Sequence, residues 1–216
     1  MNLMAGLHTI VLLAALVAQD PAQQPPRQAS PAVTRQLEAY DVLARERLAV
    51  GLKSGTERQW VDMRMRERAL LAAAIDASTT DDDLRATFYA AVGQHNEIAL
   101  NVARRALKQR TAPQWWHYTG IAAAALAFSD SVKEPQKTEL LNEARSAILA
   151  ALPLKAASWV WLLSGQIHDA LREWKAAKSA FSLAMNVGVQ PQDRPAILRG
   201  QWRSASALNE TADADK

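Results

Sequence analysis

Histidine is the residue type in this chain best suited to acid–base or metal chemistry, and four histidines are present. His95, His117 and His168 lie beyond the apolar N-terminal segment. None of these three has a second histidine or a carboxylate three or four residues away, the spacing that places two ligands on one face of a helix. His168 and Asp169 are neighbours in sequence, so their side chains point in different directions on a helix. The histidines therefore indicate structural roles.

Other signatures of catalysis are also missing from the sequence. The chain has no cysteine, which excludes thiol catalysis and cysteine-bound zinc. There is no Gly-x-Ser-x-Gly elbow, no phosphate-binding glycine loop and no dinucleotide fingerprint. The run Asp81–Asp83 after Thr80 is explained as a helix start, because these side chains cap a helix and suit the positive end of its dipole. We expect no enzymatic activity, no cofactor and no metal.

Basic residues raise the question of an anionic partner. The formal net charge is only +3, and acidic residues are interleaved with the first of two basic clusters. The second cluster falls in the last turns of a predicted helix, where cations suit the dipole. We therefore expect a solvated surface and no nucleic-acid partner. The clusters are Arg58, Arg64, Arg66 and Arg68, and Arg104, Arg105, Lys108 and Arg110.

The N-terminal segment predicts export. Residues 9–18 form an apolar run that is shorter than the ~20 residues of a membrane span and suits a secretory signal cleaved after Ala18. Residues 1–18 are thus predicted to be a signal peptide, with an uncleaved anchor or the apolar start of a cytosolic protein as the alternatives. Residues 19–30 are rich in Pro and Gln and predict a linker. Export without cysteine favours a bacterial periplasm, and we expect membrane contact only if the N-terminal segment is retained.

The rest of the 216 residues predicts an all-α fold of about nine helices. Alanine is abundant, Gly and Pro are scarce, and apolar residues recur at helical spacing. Short helices joined by short turns are expected to stack as antiparallel hairpins in an α-solenoid. The predicted segments are an N-terminal hairpin (31–78), degenerate repeats (79–191), a capping helix (192–208) and a flexible tail (209–216).

Single residues in this pattern carry further expectations. Thr56 and Gln59 predict a capping box at the start of the second helix. Leu48 falls in the apolar stripe of the first helix, and Trp202 is expected to pack in the capping helix. These positions are expected to be buried.

One segment repeats a known spacing. Trp161 and Gly165 are followed in the next helix by Ala177, Phe181 and Ala184, and then by Pro191. This pattern resembles the tetratricopeptide repeat (TPR), in which small residues mark close helix crossings and the aromatic residues fill the space between helices. Trp116 and Gly120 show the same spacing in a weaker unit. The resemblance extends over about residues 83–191 and implies packing roles for all these residues except Pro191.

The resemblance also implies a binding surface. In TPR-like proteins the first helix of each hairpin lines a concave groove, and an exposed tryptophan in such a groove is a common hot spot. In this register the groove residues are Trp159, Leu162, Gln166, Asp169, His117 and Ile121.

Together with the predicted signal peptide, the resemblance implies an exported protein–protein interaction module, an adaptor or assembly factor that binds another envelope protein in its groove. Two alternatives remain open. The chain is a self-associating structural protein that dimerises through the hairpin of residues 31–78, or it is a basic protein of the membrane surface.

Overall fold

The structure, a computed structural model, describes residues 28–51, 56–109, 112–154 and 157–214, without the side chains of residues 51 and 210–214. These ranges contain nine α-helices and no β-strand, which confirms the all-α class. The predicted signal peptide (1–18) and most of the predicted linker lie outside them. The helices are α1 (Pro31–Gly51), α2 (Glu57–Ala77), α3 (Asp81–Ala91), α4 (Asn96–Lys108), α5 (Trp115–Ala127), α6 (Gln136–Ala151), α7 (Ser158–Ala170), α8 (Trp174–Asn186) and α9 (Arg194–Ala214).

The chain divides into two compact units between Ala112 and Pro113. The N-terminal unit contains α1–α4, in which α1 packs against α2 and α3 against α4. The C-terminal unit contains α5–α9, in which α5 packs against α6, α7 against α8, and α9 against both α8 and α7. Packing between consecutive helices fits a series of helical hairpins. The predicted boundary between residues 78 and 79 falls within the N-terminal unit, and the division lies inside the predicted repeat segment.

A hydrogen bond links the start of α3 to the start of α1 in the N-terminal unit. Thr80 and Asp83 form a reciprocal capping box, as the Thr-Asp-Asp-Asp run predicts. Asp83 is fully buried and also accepts a 2.7 Å hydrogen bond from the backbone N–H of Ser30, which immediately precedes α1. Burial raises the pKa of Asp83, but hydrogen bonds from Ser30 and Thr79 outweigh it and hold the pKa at about 2. One carboxylate therefore joins the starts of α1 and α3.

Close helix crossings shape the C-terminal unit. A Cβ atom on Gly165 of α7 would lie 2.6 Å from ring carbons of Phe181 in α8, and one on Gly200 of α9 would lie 2.4 Å from the same ring. Glycine at both positions thus lets α7 and α9 approach Phe181 from two sides. Gly120 of α5 plays the same part for Ile148 of α6, where a Cβ would come within 2.7 Å. These three glycines set the spacing of the hairpins.

Three expectations about buried positions are wrong. In α1 the buried face follows Val33, Tyr40, Leu43 and Arg47, so Leu48 lies outside it and is 60% exposed. In α5 the neighbouring Trp115 is fully buried and Trp116 is 39% exposed, because this helix is apolar almost all round and its spacing does not select one of the two. Trp202 is 73% exposed, because Ile197, Gly200 and Ser204 form the buried face of α9.

Two helix ends also differ from expectation. The side chain of Thr56 makes no capping hydrogen bond, and its hydroxyl donates to the carbonyl of Val50 at 3.2 Å instead. Helix α9 continues to Ala214, so much of the predicted tail is helical. None of the helices in the described ranges combines the length and apolar character that a bilayer span requires.

Replacement of Asp83 by Ala is expected to lower stability and to remove a pH dependence. The carboxyl has a folded pKa of about 2 against an ordinary value of 3.8. It therefore contributes stability fully above about pH 4, roughly 2 kcal/mol, which is lost as the pH falls toward 2. Chemical unfolding at pH 7 and at pH 3 tests this. If the gap between wild type and Asp83→Ala is equal at both pH values, the assignment is wrong.

A Gly165→Ala substitution is expected to destabilise the C-terminal unit by about 2 kcal/mol, although alanine is the better helix former. The new methyl group would clash with the Phe181 ring. The ring cannot move away, because Gly200 of α9 lies close to its other side. Thermal unfolding measures the loss, and the double variant Gly165→Ala/Phe181→Leu should recover part of it. A Gly165→Ala protein as stable as the wild type would show that the crossing is not tight.

Candidate functional site

The predicted groove is largely closed. Leu162 is fully buried in a cluster with Phe181 and Ile197, and Ile121 and His117 are 2% and 6% exposed. Side chains with so little accessible surface cannot form a partner-binding surface in this conformation. The expectation that Leu162, Ile121 and His117 line an open groove is therefore wrong. The register of the resemblance assigns these positions to the groove side of α5 and α7, but the other helices of the fold determine which side chains stay accessible.

The other three predicted groove residues are half-buried. The ring of Trp159 lies 5.4 Å from that of His117, centroid to centroid, so this tryptophan packs within the C-terminal unit. Asp169 accepts a 2.5 Å hydrogen bond from Arg203 of α9. Burial raises the pKa of Asp169, against the opposing effect of Arg203. Gln166 lies between these two residues on α7 and is half-buried.

The residues assigned to repeat packing mostly lie where the pattern puts them. Ala177, Phe181 and Ala184 are buried together, and Trp161 packs against their cluster while remaining partly accessible. Gly120 and Gly165 occupy close crossings. Trp116 is the exception described above.

One face of α9 is exposed and combines apolar and basic side chains. Leu198 is 48% exposed and Trp202 is 73% exposed. Arg194 precedes Leu198 by four residues, so the three side chains lie along one side of the helix, and Arg199 flanks them. Arg194, Leu198, Arg199 and Trp202 are called the α9 outer face below. The spacing of these residues is visible in the sequence, but this face was not predicted because Trp202 was expected to be buried.

A second candidate site lies inside the N-terminal unit. The Glu67 carboxylate of α2 accepts a 2.5 Å hydrogen bond from Nε of Arg47 in α1. Its other oxygen lies 2.9 Å from Nε2 of His95, in the turn between α3 and α4. The side chains of Glu67 and His95 are fully buried, and Arg47 is only 4% exposed. This Arg–Glu–His cluster was not predicted, because its members are 20 and 28 residues apart in sequence.

Further groups surround the cluster. The Tyr40 ring packs edge-on against His95 at 6.1 Å, and burial, followed by the charge of Glu67, raises the pKa of Tyr40 to about 12. The guanidinium carbons of Arg47 and Arg64 lie 5.3 and 5.1 Å from the Trp60 ring centroid. Arg64 also donates to the carbonyl of Gln94 at 2.9 Å. The cationic groups are thus held by a carboxylate, an aromatic face and a carbonyl.

The cluster has the residue types of an acid–base site but no access for a substrate. A general base must come within hydrogen-bond reach of the proton it removes, and these carboxylate and imidazole groups are sealed from the surface. Their geometry instead ties α1, α2 and the α3–α4 turn together. A similar cluster in the C-terminal unit is more open, since Glu173 there bridges Arg145 and His168 at the surface. In the described ranges, no three His, Asp or Glu side chains are grouped so that they could hold a metal ion.

Loss of the buried carboxylate is expected to be costly. Glu67→Ala leaves the Arg47 charge buried without its partner, and breaking such a pair costs about 3–5 kcal/mol. Glu97→Ala is the matched control, because Glu97 pairs with Arg68 at 2.8 Å while 58% exposed, and such a pair is worth less than about 1 kcal/mol. Urea unfolding compares them. Equal losses from the two variants would contradict a structural role for the cluster.

His95 is expected to make stability depend on pH. Burial lowers its pKa, the hydrogen bond to Glu67 opposes this, and Nδ1 has no hydrogen-bond partner among the described residues. A proton on Nδ1 would be unpaired, so the unfolded chain binds the proton first as the pH falls. The stability contribution is therefore complete above about pH 6.5 and is lost below it. Unfolding between pH 8 and pH 5 should show a steeper loss for the wild type than for His95→Gln. Identical profiles would contradict this prediction.

Comparisons of the chain with protein-family models, with curated proteins and with solved structures give no match.

Proposed function

We propose that the chain is a TPR-like protein-binding module that acts as an adaptor or assembly factor for another protein of the bacterial envelope. The observation that carries the proposal is the exposure of Trp202 beside Leu198 on a helix whose opposite face is well packed. Tryptophan is the residue type most enriched at binding hot spots, and its large apolar surface favours burial by a partner. The buried, non-accessible state of the Arg–Glu–His cluster supports a binding role over catalysis.

The binding surface in this proposal differs from the predicted groove. Leu162, Ile121 and His117 are already buried within the fold, so their apolar area is not available to a partner. The exposed aromatic residues of the C-terminal unit are Trp116 and Trp202. The proposal therefore assigns partner binding to outward-facing helix surfaces of that unit.

Export of the chain is part of the proposal. It rests on the apolar run of residues 9–18 and on the absence of cysteine, both properties of the sequence. In this proposal the chain is cleaved after Ala18 and acts in the periplasm.

Self-association through α1 and α2 is the second candidate function. Val61 and Met65 are four residues apart on α2 and are 51% and 63% exposed. Apolar side chains at this spacing form a stripe that a second copy of the same helix can cover.

Native mass spectrometry of the full-length chain, purified at low salt from cells that naturally make it, tests these proposals together. We expect a complex with a different polypeptide in a fixed ratio, and a chain mass that lacks residues 1–18. The complex should persist in the Val61→Ser/Met65→Ser variant, which removes the exposed stripe of α2. A homodimer that this variant dissociates would favour self-association. A chain found alone at every concentration would contradict both functions.

A further inference from the structure

No helix among the described residues of the C-terminal unit packs on the α9 outer face, whose Leu198 and Trp202 are exposed. Helices α5 and α6 cover each other, α7 pairs with α8, and α9 packs on α8 and α7 by its opposite side. The exposed stripe of Leu198 and Trp202 runs along about one turn of α9, with side chains four residues apart. A ridge of this spacing fits the groove of another helix.

The charge of the α9 outer face indicates the charge of the partner that would bind it. In residues 157–209, Asp169 and Glu173 already pair with Arg203 and Arg145, and the third carboxylate, Asp193, is buried and not exposed beside the arginines of this face. The remaining cations in this segment are exposed at the surface, without a carboxylate partner among the described residues. Two of them, Arg194 and Arg199, belong to the α9 outer face. The others are Arg172 in the turn between α7 and α8 and Lys175 and Lys178 in α8.

We propose that the α9 outer face docks an acidic amphipathic helix of another protein. The apolar side of this helix covers Leu198 and Trp202, and its carboxylates pair with Arg194 and Arg199. Arginine suits this role because its planar guanidinium binds carboxylates through two hydrogen bonds. The inference rests on the proposed function and adds to it the surface and the chemistry of the partner.

Two other occupants fit less well. A second copy of the chain would add its own Arg194 and Arg199 to the interface, which would then hold four cations and, in the part of the face that the structure describes, no exposed carboxylate to pair with them. A membrane surface would require an apolar face sustained along the helix, whereas the exposed stripe ends at Trp202 and is followed by Ser206 and Asn209. A short acidic helix matches both the length and the charge of the face.

Site-specific photocrosslinking tests the inference directly, because the chain has no cysteine and a single introduced thiol takes one label. The full-length Pro195→Cys variant, labelled with benzophenone maleimide, places the probe beside the stripe without removing any member of the α9 outer face. Ser179→Cys, at an exposed position of α8, is the labelling control. After irradiation in an extract of the native cells, mass spectrometry identifies the crosslinked segment.

The expected product is a crosslink from position 195 to a segment of another protein with glutamate or aspartate and apolar residues at helical spacing. In the Pro195→Cys background, Arg194→Glu/Arg199→Glu and Trp202→Ser should each reduce its yield at least tenfold. Arg58→Glu/Arg66→Glu makes the same charge change on α2, and Met65→Ser removes an apolar side chain of α2 that is 63% exposed. These two controls should leave the yield within twofold. Circular dichroism and the unfolding midpoint confirm that each variant is folded.

Several outcomes overturn the inference. Crosslinks to lipid or to a second copy of the chain, a segment without acidic residues, or a yield no higher than that from Ser179→Cys would each do so. If Arg58→Glu/Arg66→Glu lowers the crosslink yield as much as Arg194→Glu/Arg199→Glu does, the attraction is a general electrostatic one and the inference is overturned. If the complex seen by native mass spectrometry survives Arg194→Glu/Arg199→Glu, the docking surface is wrong and the proposed function stands. If there is no complex, the proposed function itself fails.

Discussion

The N-terminal unit is organised around one buried carboxylate. Glu67 lies on α2 and has no contact with solvent, so its charge must be compensated from within the fold. Arg47 compensates it from α1, and His95 adds a hydrogen bond from the α3–α4 turn. Both elements are held at hydrogen-bond distance from the same carboxylate, which restricts their approach more tightly than apolar contact would. The apolar faces of α1 and α2 could slide along each other by a turn, but the ion pair allows one register.

The C-terminal unit achieves its register by shape instead. The Phe181 ring fills the space between α7 and α9, and glycines on both sides leave no room for a different alignment. Its Arg–Glu–His cluster of Arg145, Glu173 and His168 is partly exposed, so solvent screens it and it restrains the helices less. Both units thus contain an Arg–Glu–His cluster. The register of the helices depends mainly on buried charge in the N-terminal unit and mainly on steric fit in the C-terminal unit.

Short-range sequence patterns predict much of this fold. They do not predict which residues pair across distant parts of the chain. The cap at Thr80 follows from a short run of residues, and the packing roles of Gly165 and Phe181 are what the resemblance to the tetratricopeptide repeat implies, so both could be predicted. The pairing of Glu67 with His95 joins a residue of α2 to one in the α3–α4 turn, and no periodicity within one helix signals it. The groove assignment failed for the same reason, because accessibility of Leu162 depends on α9, which the repeat register does not include. The neighbouring Trp115 and Trp116 show a third limit of prediction from the sequence. Both suit a helix that is apolar almost all round, so their spacing does not reveal which of the two is buried.

The hydrogen bond from Ser30 to Asp83 also bears on how the chain folds as it is synthesised. The two residues are 53 positions apart, so the start of α1 leaves the ribosome long before its partner exists. His95 is likewise made 28 residues after Glu67, and until then the carboxylate lacks one of its two buried partners. The Glu67 carboxylate of the α1–α2 hairpin therefore has both of its partners only after the α3–α4 turn has left the ribosome. The N-terminal unit is thus completed by long-range pairs whose second member is made late, which favours their formation after the local helices.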